Sequence, residues 1–243
     1  MKVLLVLAHP EPRSFNGALR DAARETLLGR GHEVRESDLY AMAWDPVLGP
    51  RTAGTRAHHA AVDGGHECPP YVAQARQRAD VAAGTQAPEV VVEQAKLAWA
   101  DLVIFIFPVW WFGVPAILKG WIDRVFALDV AYGGGRWFDR GVYRGKRALI
   151  ACTTGAKADR FSAEGLFGPV DWVLHPLRVG TLNFCGFDTL QPFIAWAAGH
   201  VSDAARRELL DRWRTRLAGI EHESPQPFRH LADFPSSAMR DHA

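Results

Sequence analysis

The sequence predicts an α/β domain: a doubly wound, five-stranded parallel sheet with helices on both faces. Three observations lead there. Short, continuous apolar runs of strand length recur, the clearest being "KVLLVLA" (2–8) and "DLVIFIF" (101–107). Longer segments with apolar residues at helical spacing separate them. The two kinds alternate along the chain, and alternation makes the strands parallel, because each return across the sheet is then made by a helix.

Each element has its own warrant. "KVLLVLA" is a buried strand by its length and continuous apolar character. "SFNGALRDAARETLLGRG" (14–31) places Leu19, Ala22, Ala23, Thr26 and Leu27 at helical spacing, with Gly29 and Gly31 suited to its end. "HEVRESDLY" (32–40) alternates like a strand with one face nearer solvent. "PEVVVEQAKLAWA" (88–100) reads as a helix with proline near its start. "DLVIFIF" is the third strand, followed by a helix in "GVPAILKGWIDRVFAL" (113–128) that begins at Pro115. "KRALIACTT" (146–154) is the fourth strand, 162–183 is mostly helical, and "FDTLQPFIAW" (187–196) is the fifth strand. "SDAARRELLDRWRTRLAGI" (202–220) is an amphipathic helix with Ser202 as its N-cap. Strands in this order suit the flavodoxin-like arrangement 2-1-3-4-5. Residues 1–243 form one domain, with an irregular insertion at about 41–87 and a C-terminal extension at about 221–243.

Composition excludes several classes. The net charge is +1 and no basic stripe carries interleaved aromatics, so nothing points to nucleic acid. Three cysteines, Cys68, Cys152 and Cys185, show no metal-binding spacing, and an odd count without a leader fits a reducing cytoplasm. His58, His59 and His66, near Asp63 and Glu67, read as a solvated loop rather than a metal site. The N-terminal apolar run is too short for a signal peptide. Residues 102–118 carry no charge, but Pro108, Gly113 and Pro115 interrupt a stretch already short of the roughly 20 residues a membrane span needs.

Loops that leave parallel strands at their carboxyl ends converge on one edge, where ligands of such sheets bind. Strand one ends in "AHPEPRSFNGAL", which delivers Ser14 and backbone N–H groups to a helix N-terminus beside Arg13. That is either an anion site or a plain N-cap. Strand three ends in "PVWWFG" and strand four in "TTGAKADRF". A phosphate grip, an aromatic shelf and a small-residue loop fit a flavin, its phosphate on loop one and its ring across loops three and four. Trp110 belongs either to that shelf or to the core.

"AHPEPRSFNGAL", "ESDLYAM", "ADLVIFIFPVWWFGVPAILKGWIDRVF", "AY", "TTG" and "FCGF" together resemble the NAD(P)H:quinone oxidoreductase (DT-diaphorase-like) family over roughly 2–225. The resemblance implies bound FAD rather than FMN, NAD(P)H as electron donor, a homodimer, and ping-pong two-electron reduction of quinones. It implies a pyrophosphate loop of His9, Arg13, Ser14, Phe15, Asn16 and Ala18, and a flavin shelf of Pro108, Val109, Trp111 and Phe112. It further implies a ring-edge loop of Thr153, Thr154, Gly155 and Ala156, and Arg206 and Leu210 at the adenine. Trp111, Tyr132, Trp137 and Phe184 would form the substrate pocket, in part from the partner subunit.

Departures accompany the match. The second glycine after the threonines is Ala156, a second pocket tyrosine is Gly134, and Trp137 stands nearby. A catalytic Tyr/His pair of the family is replaced by Phe161 and Phe167, which offer no hydrogen bond. Val179 and Asn183 stand where one relative binds a metal, so no metal is expected. The leading expectation is a quinone reductase. The alternatives are a regulatory flavoprotein of a potassium efflux system, with incidental turnover, and an unrelated flavin-free domain.

Overall fold

Five successive branched or leucine side chains, Val3 to Leu7, leave no polar face on β1 (Lys2–Leu7), and all five are buried. Such a strand must be covered on both sides. In the computed structural model, which describes residues 1–50 and 70–234, β1 lies inside a sheet ordered β2-β1-β3-β4-β5. Its parallel partners are β2 (Glu33–Asp38) and β3 (Leu102–Pro108), and β3 pairs in turn with β4 (Arg147–Thr153). The expected strand order is the observed one.

Alternation of side chains divides the core. Leu4, Val6, Val103, Phe105 and Phe107 face one layer, under α3 (Pro88–Trp99), α4 (Ala116–Val125) and α5 (Val170–Leu177). Val3, Leu5, Leu7, Ile104 and Ile106 face the other, under α1 (Phe15–Gly29) and α6 (Asp203–Leu217). Trp213 of α6 is fully buried there, and its indole N–H donates to the Leu19 carbonyl at 2.9 Å.

Three expectations need correction. The fifth strand is two pieces, β5 (Asp188–Thr189) and β6 (Phe193–Ala195), both paired with β4. Pro192, between them, has no N–H to give to a ladder. The segment 162–183 is helical only from Val170, because Gly168 takes a left-handed φ of 69° and Pro169 caps the helix. Beyond α5 the chain continues as a π-turn, Arg178–Asn183. Inside the segment read as irregular lies α2 (Ala73–Ala83), which buries only Asp80 and so has no apolar stripe to reveal it. Its anchors are polar: Arg76 pairs with Asp80 at 2.9 Å, and Gln77 donates to the Asp123 carbonyl at 2.9 Å. His58, His59, His66 and Cys68 lie outside the described residues. Among the described residues no helix is long and apolar enough to cross a membrane.

Cys152 and Cys185 are both buried, and burial pushes each thiol up to about 12. The reactive thiolate is therefore a trace species at neutral pH. Peptide-resolved mass spectrometry after brief native alkylation at pH 8 should find both unmodified, and both modified after unfolding.

Candidate functional site

The carboxyl ends of β1, β3 and β4 open into a cleft of about 750 Å³. On the β1 side it is built by the start of α1. Ser14 caps this helix, its hydroxyl accepting the Gly17 N–H at 3.1 Å. Gly17 is required: a Cβ there would stand 2.0 Å from the Pro12 carbonyl oxygen, so only glycine lets the loop fold back over the helix. The N–H groups of Phe15 and Asn16, in the first turn, have no acceptor within the helix and carry its positive end toward the cleft. Asn16 is buried. Its amide donates to the Thr153 hydroxyl at 3.0 Å, tying loop one to loop four, while its own Oδ1 has no hydrogen-bond partner. An orphaned acceptor of this kind suits a hydroxyl-bearing ligand such as the ribityl chain of a flavin.

The opposite wall comes from the first turns of α6. Asp203, Arg206, Arg207 and Leu210 all line the cleft, together with Ala198 and Gly199. Arg206 is held in place: it donates to the Ala198 carbonyl at 3.1 Å and to Asp203 at 2.6 Å. Arg13 is exposed on the near side and pairs with Glu11 at 3.1 Å, whose carboxyl is held below its usual range chiefly by that hydrogen bond. Three guanidinium groups thus border the cleft, one from the α1 side and two from α6.

Of the residues expected to bind a cofactor, His9, Arg13, Ser14, Phe15, Asn16, Ala18, Pro108, Val109, Thr153, Thr154, Gly155, Arg206 and Leu210 surround this one cleft. Trp110, left open between core and shelf, lines it and is 42% exposed, with His9 6.1 Å away. Asp203 and Arg207 were missed, although a signal existed. Positions 203, 206, 207 and 210 follow i, i+3, i+4, i+7 and share one helix face, so naming Arg206 and Leu210 entails the other two.

Trp111 and Phe112 do not line the cleft. Trp110 and Gly113 exchange two backbone hydrogen bonds, of 3.1 and 3.0 Å, across a two-residue turn. Both turn residues have positive φ, 51° for Trp111 and 54° for Phe112. Two bulky aromatics fill a turn geometry that prefers Asn-Gly, a strain of the sort found at ligand sites. The turn throws Trp111 outward to 98% exposure, while Phe112 leans on Phe167 at 5.3 Å and Phe161 at 6.2 Å. Phe161 packs in turn against Trp196 at 5.4 Å, completing an aromatic cluster beside the ring-edge loop. Ala156 sits between, its carbonyl accepting the Thr154 hydroxyl at 2.7 Å. Tyr132, Trp137 and Phe184 form a separate group with Phe138, outside the cleft, gathered around the Phe184 ring.

A family model described as the flavodoxin-like fold matches residues 1–217. The chain is 39% identical over 228 residues to a guinea-pig protein (Cavia porcellus) named NAD(P)H dehydrogenase (quinone) 1, across 93% of this chain and 80% of that one. It is 40% identical over 227 residues to the Homo sapiens protein named ribosyldihydronicotinamide dehydrogenase (quinone), across 93% and 94% of the two chains. A solved structure from Klebsiella pneumoniae, provisionally named a quinone reductase, superposes with a TM-score of 0.82 at 37% identity, over 95% of this chain and 88% of that one.

The glycine at the start of α1 is open to test. Gly17→Ala should lower stability by about 1–3 kcal/mol through forced movement of the Pro12 carbonyl. Gly29→Ala, where a Cβ meets nothing within 4 Å, should be neutral or slightly stabilising. Thermal unfolding of the two variants side by side checks this.

Proposed function

Because the chain belongs to the NAD(P)H:quinone dehydrogenase family of flavodoxin-like proteins, we propose that it is an FAD-dependent oxidoreductase that moves a hydride from NAD(P)H to a quinone or similar planar acceptor in two alternating half-reactions. The observation that carries this reading is the composition of the carboxyl-edge cleft: helix N–H donors, three arginines, small residues and aromatics line one cavity. The relatives named above are dehydrogenases, so the transporter-regulator alternative is not carried forward.

When bound, the flavin supplies the two-electron chemistry, and the protein supplies position and surroundings. The amides of Phe15 and Asn16, with Arg13, would hold the pyrophosphate. Arg206, Arg207 and Leu210 would receive the adenylate half, which favours FAD, since FMN would leave that wall without a ligand. Thr153, Thr154, Gly155 and Ala156 would follow the ring edge, and Trp110, which lines the cleft, its face. Phe161 and Phe167 give no hydrogen bond to charge developing on the ring, so the backbone amides of Gly155 and Ala156 are the donors left for that task.

One chain leaves Trp111 at 98%, Phe112 at 51%, Leu166 at 74% and Trp172 at 71% exposure, an apolar surface that calls for a partner. A second copy bringing its Tyr132, Trp137 and Phe184 over Trp111 would close the acceptor pocket and explain why those aromatics stand apart from their own cleft.

The test of this reading uses the purified protein. Heat release and mass spectrometry should give FAD, light scattering a homodimer, and NAD(P)H should be consumed with a panel of quinones. FMN alone would overturn the cofactor assignment, and absence of quinone-dependent turnover would overturn the activity.

A second expectation concerns the phenylalanine pair. Phe161→Tyr/Phe167→His should speed the reductive half-reaction, by up to about a hundredfold if the new donors reach the ring. An imidazolium stabilises negative charge and neutral imidazole does so less, so the gain should be largest at low pH and fall as pH rises between about 5 and 8. Stopped-flow reduction across that range measures it. A wild type that already shows this inflection would assign the role to another group, such as His9.

A further inference from the structure

After α6 the chain does not leave the molecule. Arg147 Nη1 donates to the Ile220 carbonyl at 2.8 Å as the helix ends. The Gln226 N–H then donates to the Thr189 carbonyl at 2.8 Å, laying the chain along the outer edge of β5. Phe228 lies 4.8 Å from the guanidinium of Arg144, which is itself paired with Asp188 at 2.7 Å. The chain then forms a single 3₁₀ turn, Leu231–Asp233, and the Leu231 N–H that opens this turn donates to Asp139 Oδ1 at 2.9 Å.

Asp139 occupies the middle of a second short turn, Phe138–Arg140. That turn carries the aromatic wall. The Phe138 N–H donates to the Phe184 carbonyl at 2.8 Å, and Trp137 stacks on the Phe184 ring at 6.0 Å. Phe138 has a left-handed φ of 49°, a conformation a bulky residue keeps only when its surroundings hold it there. On one side the holder is visible: Gly141 crosses Gly186 so closely that a Cβ would sit 2.4 Å from the Gly186 Cα. On the other side it is the bond from Asp139 to Leu231.

We propose that the C-terminal strap, residues 221–234, positions the aromatic wall of the acceptor pocket through the Asp139–Leu231 clasp. This rests on the reading above, in which Trp137 and Phe184 close that pocket. Asp139 is a positioning residue: it lies outside the lining of the cleft, and it sets the backbone from which Trp137 and Phe138 project.

Leu231→Pro tests the clasp by deleting one N–H. His230 is already extended, at φ −96° and ψ 137°, as a residue before proline prefers, and the first position of a helical turn accepts proline. Asp139→Ala removes the acceptor, whereas Asp139→Asn keeps Oδ1. In the flavin-loaded enzyme, Leu231→Pro and Asp139→Ala should raise KM for menadione and quicken amide exchange over 133–141, each by about tenfold, as for loss of a hydrogen bond to a charged group. Flavin content and kcat should stay near wild type, and Asp139→Asn should restore both readouts. Unchanged exchange in both variants would overturn the clasp. Faster exchange with unchanged KM would overturn its role in acceptor capture, as would an Asp139→Asn that behaves like Asp139→Ala. Should Asp139→Ala fail to fold, Leu231→Pro decides by the same two readouts. Absence of quinone turnover in the wild type would instead sink the reductase reading, and exchange would still judge the clasp.

Discussion

A buried hydrogen bond from the Asn16 amide to the Thr153 hydroxyl joins the first turn of α1 to the last residue of β4, across 137 positions of sequence. Everything at the carboxyl edge is referenced to that bond. The bond fixes the helix whose N–H groups face the cleft, and it fixes the strand end from which the Thr154–Gly155 loop departs. Beside it, Val109 donates to the Thr153 carbonyl at 2.8 Å and Ala8 to the Ile106 carbonyl at 2.9 Å, so three strand ends are locked in register before any loop begins. A hydrogen bond made away from water is costly to break, because both partners would be left unsatisfied. The loops can therefore be irregular while their roots stay rigid, which is what a site built from loops needs.

The strained turn at Trp111 and Phe112 depends on this rigidity. Its two hydrogen bonds close a loop whose central residues both adopt a backbone region that aromatic side chains rarely occupy. Such a turn persists only when flanked by well-held structure, here β3 on one side and α4 on the other. Strain and exposure together place an aromatic pair in water beyond the cleft's lining, an arrangement that folding alone does not reward.

Much of this was legible in the residues. The buried strands announced themselves by continuous apolar runs, and the cap at Ser14 by its place before the periodic segment. That loops one, three and four would meet at one cleft followed from the rule that parallel strands gather their outgoing loops, whereas most of the individual lining residues were named by the family resemblance. What escaped has physical causes. Helix α2 is held by arginine and glutamine contacts, which leave no periodicity to read. The break at Pro192 lay inside an apolar run, and the run outweighed the missing N–H. Trp110 and Trp111 are adjacent and chemically identical, so only the turn's backbone could show that one lines the cleft and the other leaves it.

The two margins of the sheet also constrain how copies of this chain can meet. β2 is an edge strand written Glu-Val-Arg-Glu-Ser-Asp, and its charges discourage an added strand. At the far margin β5 and β6 are short, and the carbonyls of Thr189 in β5 and of Gln191 between the two strands are already taken by Gln226 and Arg216. Lengthening the sheet from one molecule into the next is thus disfavoured at both ends. Any self-association would thus be directed to side-chain surfaces, where geometry can close a finite assembly, rather than to backbone edges, where it could propagate without limit.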